Sequence, residues 1–317
     1  MPPDPLTIWC NAPFPEPVHA RLTAGIGGHR FVDATSDPDL GQADIAFGQP
    51  DAERAAASSR LRWVHLSSAG YTAYDRPDIR LAFTQRGARL TVSSGVFDEP
   101  CAQHALAFLL AHARALPQSL RHQHTDRAWT TAATRSVSRL LGPGQTVLIV
   151  GFGAIGRRIS QLLAPFGMTI IGFRRNPPAQ TEAVPVQAIA ELDAWLPKAD
   201  HIINVLPANA QSTGFFDKRR LGLMKPDATF INIGRGTTVD QDALVHALGS
   251  GALAAAYLDV TNPEPLPVDH PLWALPNCTI TPHSAGGHHN EFDRLVSHFL
   301  ANLARWDTGA QLVDQVI

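Results

Sequence analysis

Three short segments of this 317-residue chain carry residue types suited to anion binding and proton transfer. Ile231-Asn232-Ile233-Gly234-Arg235-Gly236 supplies an arginine. Leu258-Asp259 and, five residues on, Glu264-Pro265 supply two acids. Thr281-Pro282-His283-Ser284-Ala285 supplies a histidine. An arginine fork suits a carboxylate, which it can hold with two parallel charge-assisted bonds. A histidine exchanges protons near neutral pH. A carboxylate beside it would hold the ring and favour its charged form. Each segment lies at or just past the carboxyl end of an expected strand, the edge of an open α/β sheet where ligands bind. The three are expected to converge on one crevice and to suit the reduction of a 2-keto acid. Arg235 would grip the carboxylate and polarise the carbonyl, and His283 would donate the proton. Taken singly, Arg235 could cap a helix or pair on the surface, Glu264 could be a solvated loop acid, and His283 could be structural.

The source of hydride is legible upstream. In Gln145-Thr146-Val147-Leu148-Ile149-Val150 the apolar stretch from Val147 to Val150 reads as a buried parallel strand, followed by Gly151-Phe152-Gly153-Ala154-Ile155-Gly156 and a helical pattern over 157–166. Strand, glycines and helix in that order form the context in which G-x-G-x-x-G binds a dinucleotide. Gly151 permits the tight turn, Gly153 lets the backbone approach a pyrophosphate, and Gly156 lets the helix pack on the strand. The helix N-terminus offers free N–H groups to the phosphates.

The elements that must position these residues fall into two sets. Candidate strands at 7–10, 30–33, 44–48, 63–67 and 90–93 alternate with helical segments, as in a small open parallel sheet. An apolar helix is expected over 100–116, with Asp98 and Glu99 at its start and Pro100 in its first position. It is apolar nearly all round, so burial on several sides is expected, between domains or between subunits. Residues 121–141 read as polar and irregular. Strands at 146–150, 168–173, 201–206, 228–233, 254–260 and 278–281 then suggest a second parallel sheet covered on both faces. A last helical pattern within 288–317 is expected to return to the first domain.

Composition narrows the function classes. The net charge is −2, with no long basic block, which argues against nucleic acid or an anionic membrane as the main partner. Cys10, Cys101 and Cys278 are scattered and read as reduced thiols of a cytoplasmic protein. The start of the chain does not resemble a signal peptide, and no apolar run is long enough to span a bilayer. His122, His124, His288 and His289 fit no standard zinc spacing, so no metal is expected.

Together the motifs resemble the D-isomer-specific 2-hydroxyacid dehydrogenase family, over nearly the full length. They stand here as Gly151-Phe152-Gly153-Ala154-Ile155-Gly156, the run from Asn232 to Asp240, Leu258-Asp259-Val260 with Glu264-Pro265, and Thr281-Pro282-His283 with Ala285. The resemblance implies two doubly wound parallel-sheet α/β domains. A Rossmann cofactor domain, residues 99–287, would be inserted in a flavodoxin-like substrate domain, residues 1–98 plus 288–317. It implies a glyoxylate/hydroxypyruvate reductase-like activity, with Arg235, Glu264 and His283 as the catalytic set. Asp259 would contact the nicotinamide carboxamide. Leu206, Pro207, Thr213, Ile233, Gly234, His283 and Ala285 would line the cofactor beside the glycine loop. Ser68, Ala69 and Gly70 would meet the substrate carboxylate. A homodimer is implied, and Trp129 would either cover a neighbouring subunit's site or simply pack.

Some positions depart from the family pattern. Where an acid would bond the ribose hydroxyls of NAD, this chain has Arg174 followed by Arg175. An arginine there accommodates the 2′-phosphate of NADP, so NADP is preferred; the alternative is that both lie on the surface and NAD binds. Gln103 replaces the usual acid of the long helix. Tyr71 and Tyr74 either narrow the substrate pocket or pack. Cys101 and His104 acquire no role from the sequence. A phosphoglycerate dehydrogenase and a dinucleotide-sensing binding protein on the same fold are the alternatives.

Overall fold

Apolar strands need cover on both faces, and the two sheets of the computed structural model meet that need. The structure describes residues 4–36, 39–177 and 182–317. The chain divides into two units, Met1–Phe97 with Gly287–Ile317, and Asp98–Gly286.

The first unit holds five parallel strands: β1 (Thr7–Cys10), β2 (Arg30–Asp33), β3 (Ile45–Gly48), β4 (Trp63–Leu66) and β5 (Arg89–Thr91), in the order β2-β1-β3-β4-β5. This is the flavodoxin-like order, which reverses between β1 and β3. Every residue of β3 and β4 is buried. One face packs Ala46, Val64, Phe83 and Leu90 together. The other is covered by the helix Glu291–Asp307, whose Phe299 stacks on Phe47 at 4.3 Å. Its apolar residues recur at helical spacing, which is why Leu295, Val296, Phe299 and Leu303 all face the sheet.

The second unit holds seven parallel strands: β6 (Thr146–Val150), β7 (Thr169–Arg174), β8 (Val186–Ala188), β9 (His201–Asn204), β10 (Thr229–Asn232), β11 (Ala255–Leu258) and β12 (Cys278–Ile280). Their order is β12-β11-β10-β9-β6-β7-β8. Counted from β6, this is the dinucleotide-binding 3-2-1-4-5-6 order with a strand added, and it reverses between β6 and β9. Leu148, Ile202, Phe230 and Ala256 build the core of one face.

Three expectations are corrected. The long helix begins at Ser94, not Pro100, and ends at Ala113. Its first turn is held by bonds the sequence pattern cannot show. Gly95 N donates to Asp314 Oδ2 at 2.8 Å, and Arg294 Nη2 donates to Gly95 O at 3.1 Å. These partners fix the turn before Pro100, so the proline sits inside the helix. Burial is also one-sided within the single chain: Cys101, Ala102, Ala105, Phe108 and Leu109 are buried, whereas Ala107 and Leu110 are exposed. Residues 121–141 are not irregular throughout but include the last turn of a helix at Leu116–His124 and all of one at Thr131–Val137. Neither buries a side chain, so neither leaves an apolar period to read. Strand β8 is three half-buried residues and gave no signal either.

His201 is an anomaly of the second core. It is 5% exposed on β9, and neither ring nitrogen has a partner. Burial pushes it down to about 4, helped by His112. The unfolded chain therefore binds the extra proton first, and its stabilising neutral form is lost as pH falls from the ordinary histidine range towards that value. His201→Val should remove this loss. Near pH 5 the variant should gain about 2 kcal/mol more, relative to pH 7.5, than the unmodified protein does. Denaturant titrations at the two pH values measure it, and equal pH dependence in the two proteins would refute it.

Candidate active site

The glycine loop after β6 is shaped by close backbone approaches. A Cβ on Gly151 would lie 2.7 Å from the carbonyl carbon of Val205, and Gly151 has φ +104°. One on Gly156 would lie 2.8 Å from Gly151 O, and one on Gly234 would lie 2.6 Å from Leu206 O. Gly153 differs, since nothing lies within 4 Å of its Cβ position. It precedes the helix Ala154–Leu163, and no side chain caps that helix. Orphan N–H groups at a helix start, reached over a bare glycine, fit a pyrophosphate. Leu206-Pro207 and Ile233-Gly234 follow β9 and β10 at the same sheet edge. Thr213 Oγ1 donates to Asn209 O at 2.9 Å in the loop beyond β9.

Arg174 ends β7 and Arg175 follows it, exposed. Among the described residues neither forms an ion pair. Glu182 is held instead by Arg157, whose Nη2 lies 2.8 Å and Nε 2.9 Å from its carboxylate oxygens. These bonds lower the Glu182 carboxyl below its ordinary value, with a smaller contribution from Arg174. No sequence pattern marks this acid as a neighbour of the arginines.

Arg235 sits in the turn after β10, its Nη1 bonded to Gly234 O at 2.7 Å. A buried amide network that sequence reasoning missed fixes this turn. Asn204 Nδ2 donates to Asn232 Oδ1 at 3.0 Å and to Thr238 Oγ1 at 2.7 Å. Asn232 Nδ2 and Thr238 Oγ1 both donate to Arg235 O. The signal was an asparagine at the end of each of two apolar strands. Asp240 closes the motif by accepting from Ala243 N at the start of the helix Gln241–Gly249.

His283 and Glu264 are in direct contact: His283 Nδ1 lies 2.8 Å from Glu264 Oε2. Glu264 Oε1 accepts from Thr261 N at 3.1 Å, which orients the carboxylate. The two side chains are about half and two-fifths exposed, at 48% and 38%. With Nδ1–H donated to the acid, Nε2 is the ring atom left to exchange a proton. His283 takes φ +50°, a left-handed conformation that costs a non-glycine residue about 1–3 kcal/mol. Asp259 compensates. It is 2% exposed, and its Oδ1 accepts from Thr281 Oγ1 at 2.6 Å and from Ser284 N at 2.9 Å. Its Oδ2 accepts from Ala285 N at 2.9 Å, and its backbone oxygen accepts from His283 N at 2.8 Å. One buried acid thus clamps the turn on both sides of the histidine.

In the first unit, Ser68 Oγ donates to Gly70 O at 2.7 Å and accepts from Gln49 Nε2 at 3.1 Å. Ser93 N donates to Ser68 O at 2.9 Å. Among the described residues, the amides of Ala69 and Gly70 donate to no protein acceptor. Tyr74 is core: it is 3% exposed and donates to Pro50 O. Tyr71 packs partly buried against that core. Burial pushes the free thiols of Cys10, Cys101 and Cys278 up to about 12, which leaves none a thiolate for catalysis. His122 pairs with Asp126 at 3.0 Å.

Residues 106–285 match the family model described as D-isomer specific 2-hydroxyacid dehydrogenase, NAD binding domain. A glyoxylate reductase/hydroxypyruvate reductase of Mus musculus is 36% identical over 232 residues, 72% of this chain and 68% of its own. A D-isomer specific 2-hydroxyacid dehydrogenase from Xanthobacter autotrophicus Py2, solved with NADPH and MES, has a TM-score of 0.82 at 27% identity and covers 99% of this chain and 98% of its own. A probable 2-hydroxyacid dehydrogenase from Rhizobium etli CFN 42, solved with NADP, HEPES and L(+)-tartaric acid, has a TM-score of 0.78 at 26% identity, over 99% and 98% of the two chains.

The glycine geometry separates binding from folding. Gly153→Ala should leave the melting temperature within about 1–2 °C yet weaken dinucleotide binding tenfold or more, about 1.4 kcal/mol. Gly156→Ala should lower the melting temperature by several degrees, roughly 2–4 °C per kcal/mol, because backbone must move. Thermal melts with dinucleotide titrations decide it; a Gly153→Ala protein that binds normally would remove the pyrophosphate from this loop.

Proposed function

Because the chain belongs to the D-isomer specific 2-hydroxyacid dehydrogenase family, we propose that this NAD(P)-dependent enzyme reduces a small 2-keto acid such as glyoxylate or hydroxypyruvate to the D-2-hydroxy acid. The observation that carries this reading is the 2.8 Å contact between His283 Nδ1 and Glu264 Oε2. It leaves His283 Nε2 to deliver a proton to the carbonyl oxygen, and Glu264 to hold the ring as the proton leaves and returns. Arg235 binds the substrate carboxylate with its guanidinium and polarises the carbonyl. The amides of Ala69 and Gly70, with Ser68 bracing the loop, are proposed to meet the same carboxylate. When bound, a reduced nicotinamide dinucleotide supplies the hydride. Asp259 keeps one Oδ2 lone pair beyond its bond to Ala285 N, enough to accept from a carboxamide.

NADP is the proposed preference. Arg174 and Arg175 are charged, at the strand end where the adenosine ribose lies in such folds, and Glu182 spends its charge on Arg157. The Xanthobacter and Rhizobium proteins were solved with NADPH and NADP. A homodimer is proposed through residues 110–140. Trp129 is 95% exposed, Leu140 80% and Leu120 54%, so packing within its own chain does not account for Trp129. Among the described residues no helix is long and apolar enough to cross a membrane. Free cysteines fit a reducing compartment, and the cytoplasm is the proposed location.

The test is oxidation of NADPH and NADH, in parallel, with glyoxylate, hydroxypyruvate, pyruvate and phenylpyruvate. NADPH should be consumed faster with one of the smaller acids. His283→Ala should lower turnover by roughly 10²–10⁴-fold while dinucleotide still binds; near-normal turnover would sink the mechanism. Arg174→Asp should move the preference toward NADH, and an unchanged ratio would place the arginines away from the ribose. Sedimentation should give a dimer that Trp129→Glu weakens, and a monomeric parent protein would refute the interface.

A further inference from the structure

His104 lies on the long helix Ser94–Ala113 and belongs to no motif quoted above. Its ring packs edge-on against Phe108, with centroids 4.4 Å apart. Its Nε2 lies 3.1 Å from Thr281 Oγ1 and 3.7 Å from Asp259 Oδ1. Burial lowers its pKa, with Asp259 opposing the shift.

The direction of these bonds follows from proton supply. A threonine hydroxyl has one hydrogen. At 2.6 Å from Asp259 Oδ1 that hydrogen must point to the carboxylate, since two lone pairs facing each other there would repel. Thr281 Oγ1 can then only accept from His104, so His104 Nε2 carries hydrogen. The chain runs His104 Nε2–H to Thr281 Oγ1–H to Asp259 Oδ1. Asp259 ends this chain and also accepts from Ser284 N and Ala285 N, the two amides that follow His283.

We propose that His104 is a positioning residue for His283. As an Nε2–H donor it fixes the Thr281 hydroxyl, which fixes the Asp259 carboxylate, which holds the strained turn. It touches neither substrate nor reacting atoms. Ring packing on Phe108 sets the donor's angle. Removing the donor frees the Thr281 hydroxyl to rotate and leaves Asp259 Oδ1 with one fixed donor, Ser284 N. The expected consequence is a looser His283 and a slower proton transfer. The catalytic part of this inference rests on the reductase reading above; the hydrogen-bond chain does not.

The test has a spectroscopic arm and a kinetic arm. In protein labelled with ¹⁵N-histidine, the signals lost in His104→Phe identify His104. At pH 8 they should show a ring protonated at Nε2. A ring protonated at Nδ1 alone overturns the proposal whether or not any acid is turned over. Kinetically, His104→Phe keeps the ring shape and should lower kcat about 5–20-fold. KM for the acid should stay within twofold. His104→Gln restores an N–H at similar reach and should recover most of kcat. Full kcat in His104→Phe, or equal losses in Phe and Gln variants that melt like the parent, would also overturn it. Failure of the unmodified protein to reduce any of the acids counts against the reductase reading and leaves the tautomer measurement as the deciding one.

Discussion

A parallel sheet covered on both faces can hold almost no charge along its strands, and the rest of this molecule depends on that constraint. Strands β3, β4, β9, β10 and β11 are buried at every residue. Polar chemistry is therefore displaced to the strand ends. In the second unit the glycine loop follows β6, Arg174 ends β7, Arg235 follows β10, Asp259 follows β11 and His283 follows β12. Parallel strands all point the same way, so these residues share one edge without any of them being near another in sequence.

Charges and polar groups brought to such an edge must still be satisfied. Asn204, Asn232 and Thr238 exchange hydrogen bonds at buried strand ends and fix the turn of Arg235. Asp259 is the more demanding case, an almost fully buried acid. Three donors reach its carboxylate oxygens, from Thr281, Ser284 and Ala285. An unpaired charge at that depth would be costly, so its satisfaction and the left-handed turn at His283 stand or fall together. Glu264 is treated differently: it remains two-fifths exposed, and one of its oxygens is committed to Thr261 N, so the other is aimed at the ring.

The sequence by itself determined the class of the molecule. Apolar runs between helical segments read as parallel strands, and most of the strands lie within a residue or two of where the pattern puts them. Gly151 and Gly156 were legible because each answers a steric demand within the chain that only glycine meets, and Gly153 because the motif leaves its Cβ position open. Arg235, Glu264 and His283 were legible as types at strand ends. What only the tertiary structure decided are partners distant in sequence. The helix start at Ser94 depends on Asp314, the aim of His283 on Asp259 and Glu264, the turn of Arg235 on Asn204, and the place of His104 on Thr281. Residues 121–141 were misread because the helices that enter them bury nothing and leave no period. The physical reason is common to all of these. Periodicity records which face of an element is buried, while a hydrogen bond between distant loops leaves no period, only a polar residue whose partner appears once the chain has folded.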